Sequence, residues 1–282
     1  MRLYIGGVRG GGPVTEPGYT TFGGDTTCFL VEGDAGERMI VDAGSGLSYV
    51  WQHLQQTAPD VRALCFLFSH YHLDHMVGLP AFPPLYEEGW TVEFAARIFD
   101  ELTVEDVTNS FVNPPFWPLP LEEMASRRRF RILDDESMEQ PCAYGSLQMT
   151  WCPLRHPGGS TAFRIEEPAT GQALVIATDV EWQESEEYEK EWLRRLCAKP
   201  TPADLLIFDG KYDVAEYEKF KGWGHSTWQE GIELARSTGV QRLLISHHAE
   251  DLNDQAAERR NAEIVTAWDQ AELARQGQLI TF

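Results

Sequence analysis

The run Phe68-Ser69-His70-Tyr71-His72-Leu73-Asp74-His75 places four potential metal ligands in six positions, directly after the apolar stretch Ala63-Leu64-Cys65-Phe66-Leu67-Phe68. The length of that stretch and its lack of polar breaks predict a buried strand. The ligands then fall where a strand ends and a loop begins. Imidazole nitrogen and carboxylate oxygen suit Zn²⁺, Mn²⁺ and Fe²⁺. His70 and His72 are two apart, so on extended backbone they point to the same side. Asp74 and His75 fall on the following turn, where they can face a second ion. The chain holds only 8 His in 282 residues, so three beside one Asp mark a metal site rather than a histidine-rich surface loop.

Outward from this run, strands are expected at 2–6, 27–32, 38–42 and 63–69, with a helix at about 46–56. Strand patterns return at 146–154, 161–166, 173–178, 204–208 and 242–246. Helices are expected at about 184–197, 226–238 and 254–275. Residues 82–141 differ in character. Their centre, Phe111-Val112-Asn113-Pro114-Pro115-Phe116-Trp117-Pro118-Leu119-Pro120, is too proline-rich for a regular helix or a central strand. We therefore expect one domain over 1–282, α/β in class, with two sheets packed face to face, helices outside, and an insertion at about 82–141.

Composition narrows the function. Acidic residues number 44 against 23 basic, a formal net charge of −21. Tight binding of a long polyanion needs clustered Lys and Arg, so nucleic acid is not the expected partner. The one basic cluster, Arg127-Arg128-Arg129 with Arg131, runs into Asp134-Asp135-Glu136. No segment approaches about 18 uninterrupted apolar residues, so no membrane span is expected. Five cysteines without a CxxC pair read as reduced thiols, and the amino terminus lacks a signal-peptide core. A cytoplasmic location is the expectation.

Three further candidate ligands each follow an expected strand: His156 after Trp151–Leu154, Asp179 after Leu174–Thr178, and His247 after Leu243–Ser246. Taken in this order, His70-x-His72-x-Asp74-His75, His156, Asp179 and His247 resemble the full ligand set of the metallo-β-lactamase superfamily. The resemblance covers nearly the whole chain. It implies an αββα sandwich of two mixed sheets, with His70, His72 and His156 on one divalent ion, Asp74, His75 and His247 on the other, and Asp179 bridging them. Zn²⁺ or Mn²⁺ is expected, and Fe²⁺ also fits the donors. Asp42 matches the superfamily's early structural Asp. Because His247 and His248 are adjacent, either can be the last ligand; His247 is preferred as it directly follows the strand.

Gly222-Trp223-Gly224-His225-Ser226-Thr227, ahead of the strand that ends at His247, is similar to the phosphodiesterase branch, which includes the tRNA 3′-processing endonucleases. That similarity implies a general-acid role for His225, while Asp74 orients the attacking water. Asp209 would hydrogen-bond a ligand or His225. The amino-terminal Gly6-Gly7-Val8-Arg9-Gly10-Gly11 and Gly23-Gly24-Asp25-Thr26-Thr27-Cys28 resemble the GVRGS…GGNTSC pattern of cyclic-phosphodiesterase-like hydrolases, with Gly11 in place of Ser and Asp25 in place of Asn. The expected activity is hydrolysis of a small cyclic phosphodiester. Alternatives are a thioester or lactone hydrolase, an RNase Z-like ribonuclease, and a non-catalytic metal-binding sensor. Arg9, Ser226, Thr227, His248, Phe116 and Trp117 are candidate substrate contacts. The Phe111–Pro120 segment offers either aromatic faces for a base or a contact between the two chains of an expected homodimer.

Overall fold

The computed structural model describes all residues, 1–282. Six strands open the first sheet: β1 (Arg2–Gly7), β2 (Cys28–Glu32), β3 (Arg38–Val41), β4 (Ala63–Leu67), β5 (Thr91–Ala96) and β6 (Arg127–Ile132). The second holds β7 (Cys142–Tyr144), β8 (Leu147–Leu154), β9 (Ser160–Glu167), β10 (Gln172–Ala177), β11 (Leu205–Asp209), β12 (Arg242–Ser246) and β13 (Ala271–Leu273). The last strand, β14 (Leu279–Thr281), returns to pair antiparallel with β1. The orders are β14-β1-β2-β3-β4-β5-β6 and β13-β12-β11-β10-β9-β8-β7. Both sheets are mixed: β3 to β6 and β10 to β13 run parallel, the rest antiparallel.

The helices are α1 (Leu47–Thr57), α2 (Val104–Phe111), α3 (Glu187–Ala198), α4 (Val214–Phe220), α5 (Trp228–Thr238) and α6 (Asp254–Ala267). Three apolar layers bind these parts. The middle one joins Phe29, Val41, Leu67 and Ala95 of the first sheet to Phe163, Ile176, Ile207 and Leu244 of the second. The outer two cover the first sheet with Leu47, Val50 and Val104, and the second with Leu193, Leu234 and Ile264. Strands covered on both faces read as continuous apolar runs, and β4, β10, β11 and β12 do so. The result is the αββα metallo-β-lactamase sandwich that the resemblance implied.

Three expectations need correction. The segment 82–141 is not simply an insertion, because 91–96 and 127–132 are strands of the first sheet. The run Arg127–Ile132 hid its strand character because edge strands tolerate charge. The guanidinium of Arg131 donates to Glu93 Oε1 at 2.6 Å, and that of Arg128 to the carbonyls of Met124 and Ser126. Second, the helix expected over 254–275 ends at Ala267, and Ala271–Leu273 pairs with β12. A three-residue apolar alternation is too short to separate strand from helix by period. Third, α2 and α4 were missed in sequence, although Thr103/Asp106 and Asp213/Glu216 form capping boxes at their starts.

Every strand that precedes a candidate ligand ends at one edge of the sandwich. In parallel sheets that carboxyl edge is where side chains from successive strands converge.

Candidate metal centre

Asp42, Asp179 and His247 come just after β3, β10 and β12, and all three take left-handed backbone, with φ of 61°, 58° and 60°. Non-glycine residues adopt this conformation at a cost, and such residues concentrate at functional sites. It turns each side chain back over its strand end. Gly10 makes room for one of them: a Cβ there would lie 2.0 Å from His247 Cε1.

Two groups of donors form. His70, His72 and His156 have ligand atoms within 4.8 Å of one another, and so do Asp74, His75 and His247. The Asp179 carboxylate lies between them. Its Oδ1 is 3.8 Å from both His70 Nε2 and His156 Nε2 and 3.1 Å from His247 Nε2, while its Oδ2 is 3.2 Å from His75 Nε2. The structure thus brings all seven side chains together, with six of them buried and His72 at the opening.

Most inner atoms lack a hydrogen-bond partner, although His156 Nε2 meets His72 Nδ1 at 3.1 Å. His70 Nε2, His75 Nε2, His247 Nε2 and Asp179 Oδ2 are all buried and unpaired. Orphaned buried polar atoms are costly, so a convergent set of them calls for a cation. The outer ring nitrogens are held. His75 Nδ1 donates to Asp42 Oδ2 at 2.8 Å, and His156 Nδ1 to the Gly224 carbonyl at 2.8 Å. Asp42 also accepts from Ser69 N and Oγ, both at 2.7 Å. These bonds set the tautomers that leave Nε2 free for a metal. The Gly11 N–H donates to Asp74 Oδ2 at 2.7 Å, a bond made at a φ of 81° that glycine reaches without strain.

Electrostatics agree. Burial pushes His70, His72 and His156 below the ordinary imidazole range. Burial acts the same way on His247, but the charge of Asp179 outweighs it and holds that ring at about 9; His75 is raised by Asp179, Asp74 and Asp42 against its burial. The histidines' charge, His247 foremost, keeps Asp179 well below the usual carboxylate range despite burial. Protons on His75 and His247 stand where a divalent cation fits.

His225 lies over this cluster, its ring centroid 4.6 Å from His247 and 5.3 Å from His156. Its Nδ1 donates to Asp209 Oδ2 at 2.8 Å. Asp209 is wholly buried and also accepts from the backbone N–H groups of Val180 and Lys211. The sequence reading missed Glu181. This buried carboxylate accepts from Tyr217 Oη, Gly222 N and Gly224 N, and so clamps the loop that presents His225.

Several candidate substrate contacts face elsewhere. Arg9 is fully buried, and its guanidinium donates to the carbonyls of Gly23, Ala249 and Leu252, tying the glycine loop to the segment after His247. His248 turns away from the cluster and its Nε2 meets the Ala274 carbonyl at 2.8 Å; of the adjacent pair, His247 is the one in the cluster. Ser226 Oγ donates to the Val180 carbonyl and accepts from Trp182 N. Thr227 caps α5 through Glu230 N. Only His248 was read from a strand end; Arg9 came from the glycine loop and Ser226 and Thr227 from the motif around His225, and neither signal says which way a side chain turns. Phe116 is 75% exposed, and Trp117 packs on the first sheet's outer layer with its Nε1 donating to Tyr86 Oη at 2.7 Å.

Fold and donor set define a metal-dependent hydrolase of the metallo-β-lactamase type. A family model described as the Beta-lactamase superfamily domain matches residues 37–248, and the chain belongs to that family. Ribonuclease BN of Cronobacter sakazakii is 26% identical over 292 residues, covering 86% of this chain and 88% of its own. The solved structure of human tRNase Z, short form, superposes with a TM-score of 0.68 at 19% identity, covering 100% of this chain and 99% of that one. A diphosphatase from the PhnP family gives a TM-score of 0.67 at 16% identity, covering 100% and 98%. No helix of the chain is long and apolar enough to cross a membrane.

Proposed function

We propose that the protein is a phosphodiesterase that hydrolyses a small cyclic nucleotide or related cyclic phosphate, with His70, His72, His156, Asp74, His75, His247 and Asp179 holding two divalent ions, Zn²⁺ or Mn²⁺. The observation that carries the reading is the Asp209–His225 pair poised over two donor groups that share Asp179. The relatives named above carry names that denote cleavage at phosphorus, as a ribonuclease, a tRNase and a diphosphatase.

When bound, the ions supply Lewis acidity toward the phosphoryl oxygens and an activated water. The side chains do the rest. Asp74, fixed by the Gly11 N–H, orients the attacking water. His225 cannot use its Nδ1, which Asp209 engages, so Nε2 delivers the proton to the departing oxygen. General acid catalysis of this kind contributes on the order of 10²–10⁴ in rate. His225 also falls within ligand range of His156 and Asp179. Its atom near Asp179 is Nδ1, at 4.0 Å, the atom already committed to Asp209, which favours the acid role over ligation.

A second reading, cleavage of RNA, is favoured by the sequence likeness to Ribonuclease BN. The net charge of −21 weighs against a long polyanion. A panel of cyclic mononucleotides, cyclic dinucleotides, a tRNA precursor and a lactone, each with Zn²⁺ and with Mn²⁺, separates these readings. Turnover of cyclic nucleotides, lost in His225→Ala with the ions retained, is the expected result. Turnover of the lactone alone would overturn it.

A further inference from the structure

A cavity of about 360 Å³ lies beside the metal cluster, between the residues after β11, helix α4, the tip of the loop before His225 and the turn after His248. Two contacts join it to the site. The Tyr212 ring centroid is 6.1 Å from that of His225. On the other side, Glu250 lies so close to Gly11 that a Cβ there would meet its Oε1 at 1.7 Å, and Gly11 is the residue that holds Asp74.

One wall is aromatic. Tyr212 and Phe220 stack at 4.7 Å with planes 5° apart, and Phe220 meets Trp223 edge-on at 5.6 Å. Tyr212 is buried and spends its face on Phe220. Trp223 is 63% exposed at the tip of the loop that Glu181 clamps, so a large indole surface is held in place yet uncovered. The polar wall is nearly neutralised. Arg260 is committed to Glu216 at 2.9 Å. Lys211 Nζ and Glu250 Oε2 stand 3.7 Å apart, a loose pair that leaves one donor and one acceptor available. With Asp251 added, acids outnumber bases around the cavity, which disfavours a second phosphate and suits a neutral planar group.

We propose that this cavity is the base subsite. Trp223 stacks on the nucleobase of a nucleotide whose phosphate sits at the cluster, and Lys211 and Glu250 meet the donors and acceptors on the base edge. The proposal rests on the phosphodiesterase reading for its phosphate anchor, and it moves base recognition from the Phe111–Pro120 segment to residues 211–223 and 250.

The test is calorimetry on metal-loaded protein with AMP, GMP, CMP, UMP and ribose 5-phosphate. Stacking of one base is worth about 5- to 150-fold in affinity. At least one nucleotide should bind tighter than ribose 5-phosphate by that margin, Trp223→Ala should remove most of the difference, and Trp223→Phe should restore much of it. Trp223 is exposed, so both variants should melt like the parent. Equal binding of ribose 5-phosphate and all four nucleotides would overturn the subsite, as would a base preference unchanged in Trp223→Ala. A protein that shows the preference yet cleaves no phosphodiester would keep the subsite and sink the reaction; cleavage without base preference would do the reverse.

Discussion

Replacing Asp209 with Asn separates the acid from the ions. Asp209 Oδ1 accepts from Lys211 N at 3.1 Å, and Oδ2 accepts from Val180 N at 3.3 Å and from His225 Nδ1 at 2.8 Å. An Asn that keeps the Lys211 bond turns its NH₂ toward His225. The ring then loses an acceptor that stabilises its protonated form, and the tautomer with a proton on Nδ1 is no longer favoured. A hydrogen bond to a charged group is worth about 1.5–3 kcal/mol, which converts to roughly 10- to 150-fold in kcat. The loss should fall on substrates whose leaving oxygen needs a proton. Methyl or ribosyl phosphodiesters should slow by that factor, while bis-p-nitrophenyl phosphate, whose leaving group departs unprotonated, should slow far less. Metal content should not change, because Asp209 lies outside the proposed set of seven ligands. Equal slowing of both substrates with both ions retained would refute the assignment of His225 as acid and of Asp209 as the residue that positions it.

Gly10→Ala should displace His247, since the new methyl would lie 2.2 Å from Nδ1; elemental analysis should find the ion at the His70/His72/His156 end retained and the other largely lost. Asp42→Ala strands Ser69 N–H, Ser69 O–H and His75 Nδ1–H in the interior. It should cost about 3 kcal/mol or more in denaturant unfolding and weaken metal binding by roughly 10–100-fold in a chelator titration. Metal affinity should rise with pH by about tenfold per unit up to about 9, because His247 holds a proton there that an ion must expel, and the raised His75 adds to the rise. By the same linkage, the raised value of His247 stabilises the ion-free protein fully below the ordinary imidazole value, and that contribution disappears as pH rises through about 9; His75, also raised, contributes with the same sign. Chelator titrations and melts from pH 6 to 10 read both effects; an affinity flat in pH would contradict them.

The candidate ligands were legible because a metal site demands particular residue types, and these stood at the ends of apolar runs such as Leu64–Phe68 and Leu243–Ile245 that could only be buried strands. The core strands were legible for the same reason. Less of the surrounding support could be read. Glu181 acts through a loop whose path is set by Gly222 and Gly224 at positive φ, and Glu250 lies against Gly11, also at positive φ, while Lys211 and Tyr212 follow a strand end; no periodic signal marks any of the four. Arg9 shows the opposite error. A charged residue in a glycine loop reads as a substrate contact, yet three carbonyls at its guanidinium make it a buried brace. The strand Arg127–Ile132 was obscured by charges suited to the edge of a sheet, and the departure of Gly11 from the usual Ser becomes intelligible only once Glu250 is seen against it.

The central claim is a paired-cation centre built by seven side chains. Anomalous diffraction at the metal edge, from crystals grown with Zn²⁺ or Mn²⁺, tests it most directly. The account predicts two peaks per chain about 3.5–4 Å apart, with Asp179 between them, His70, His72 and His156 on one, and Asp74, His75 and His247 on the other. A single peak, or two with Asp179 bound to neither, would contradict it.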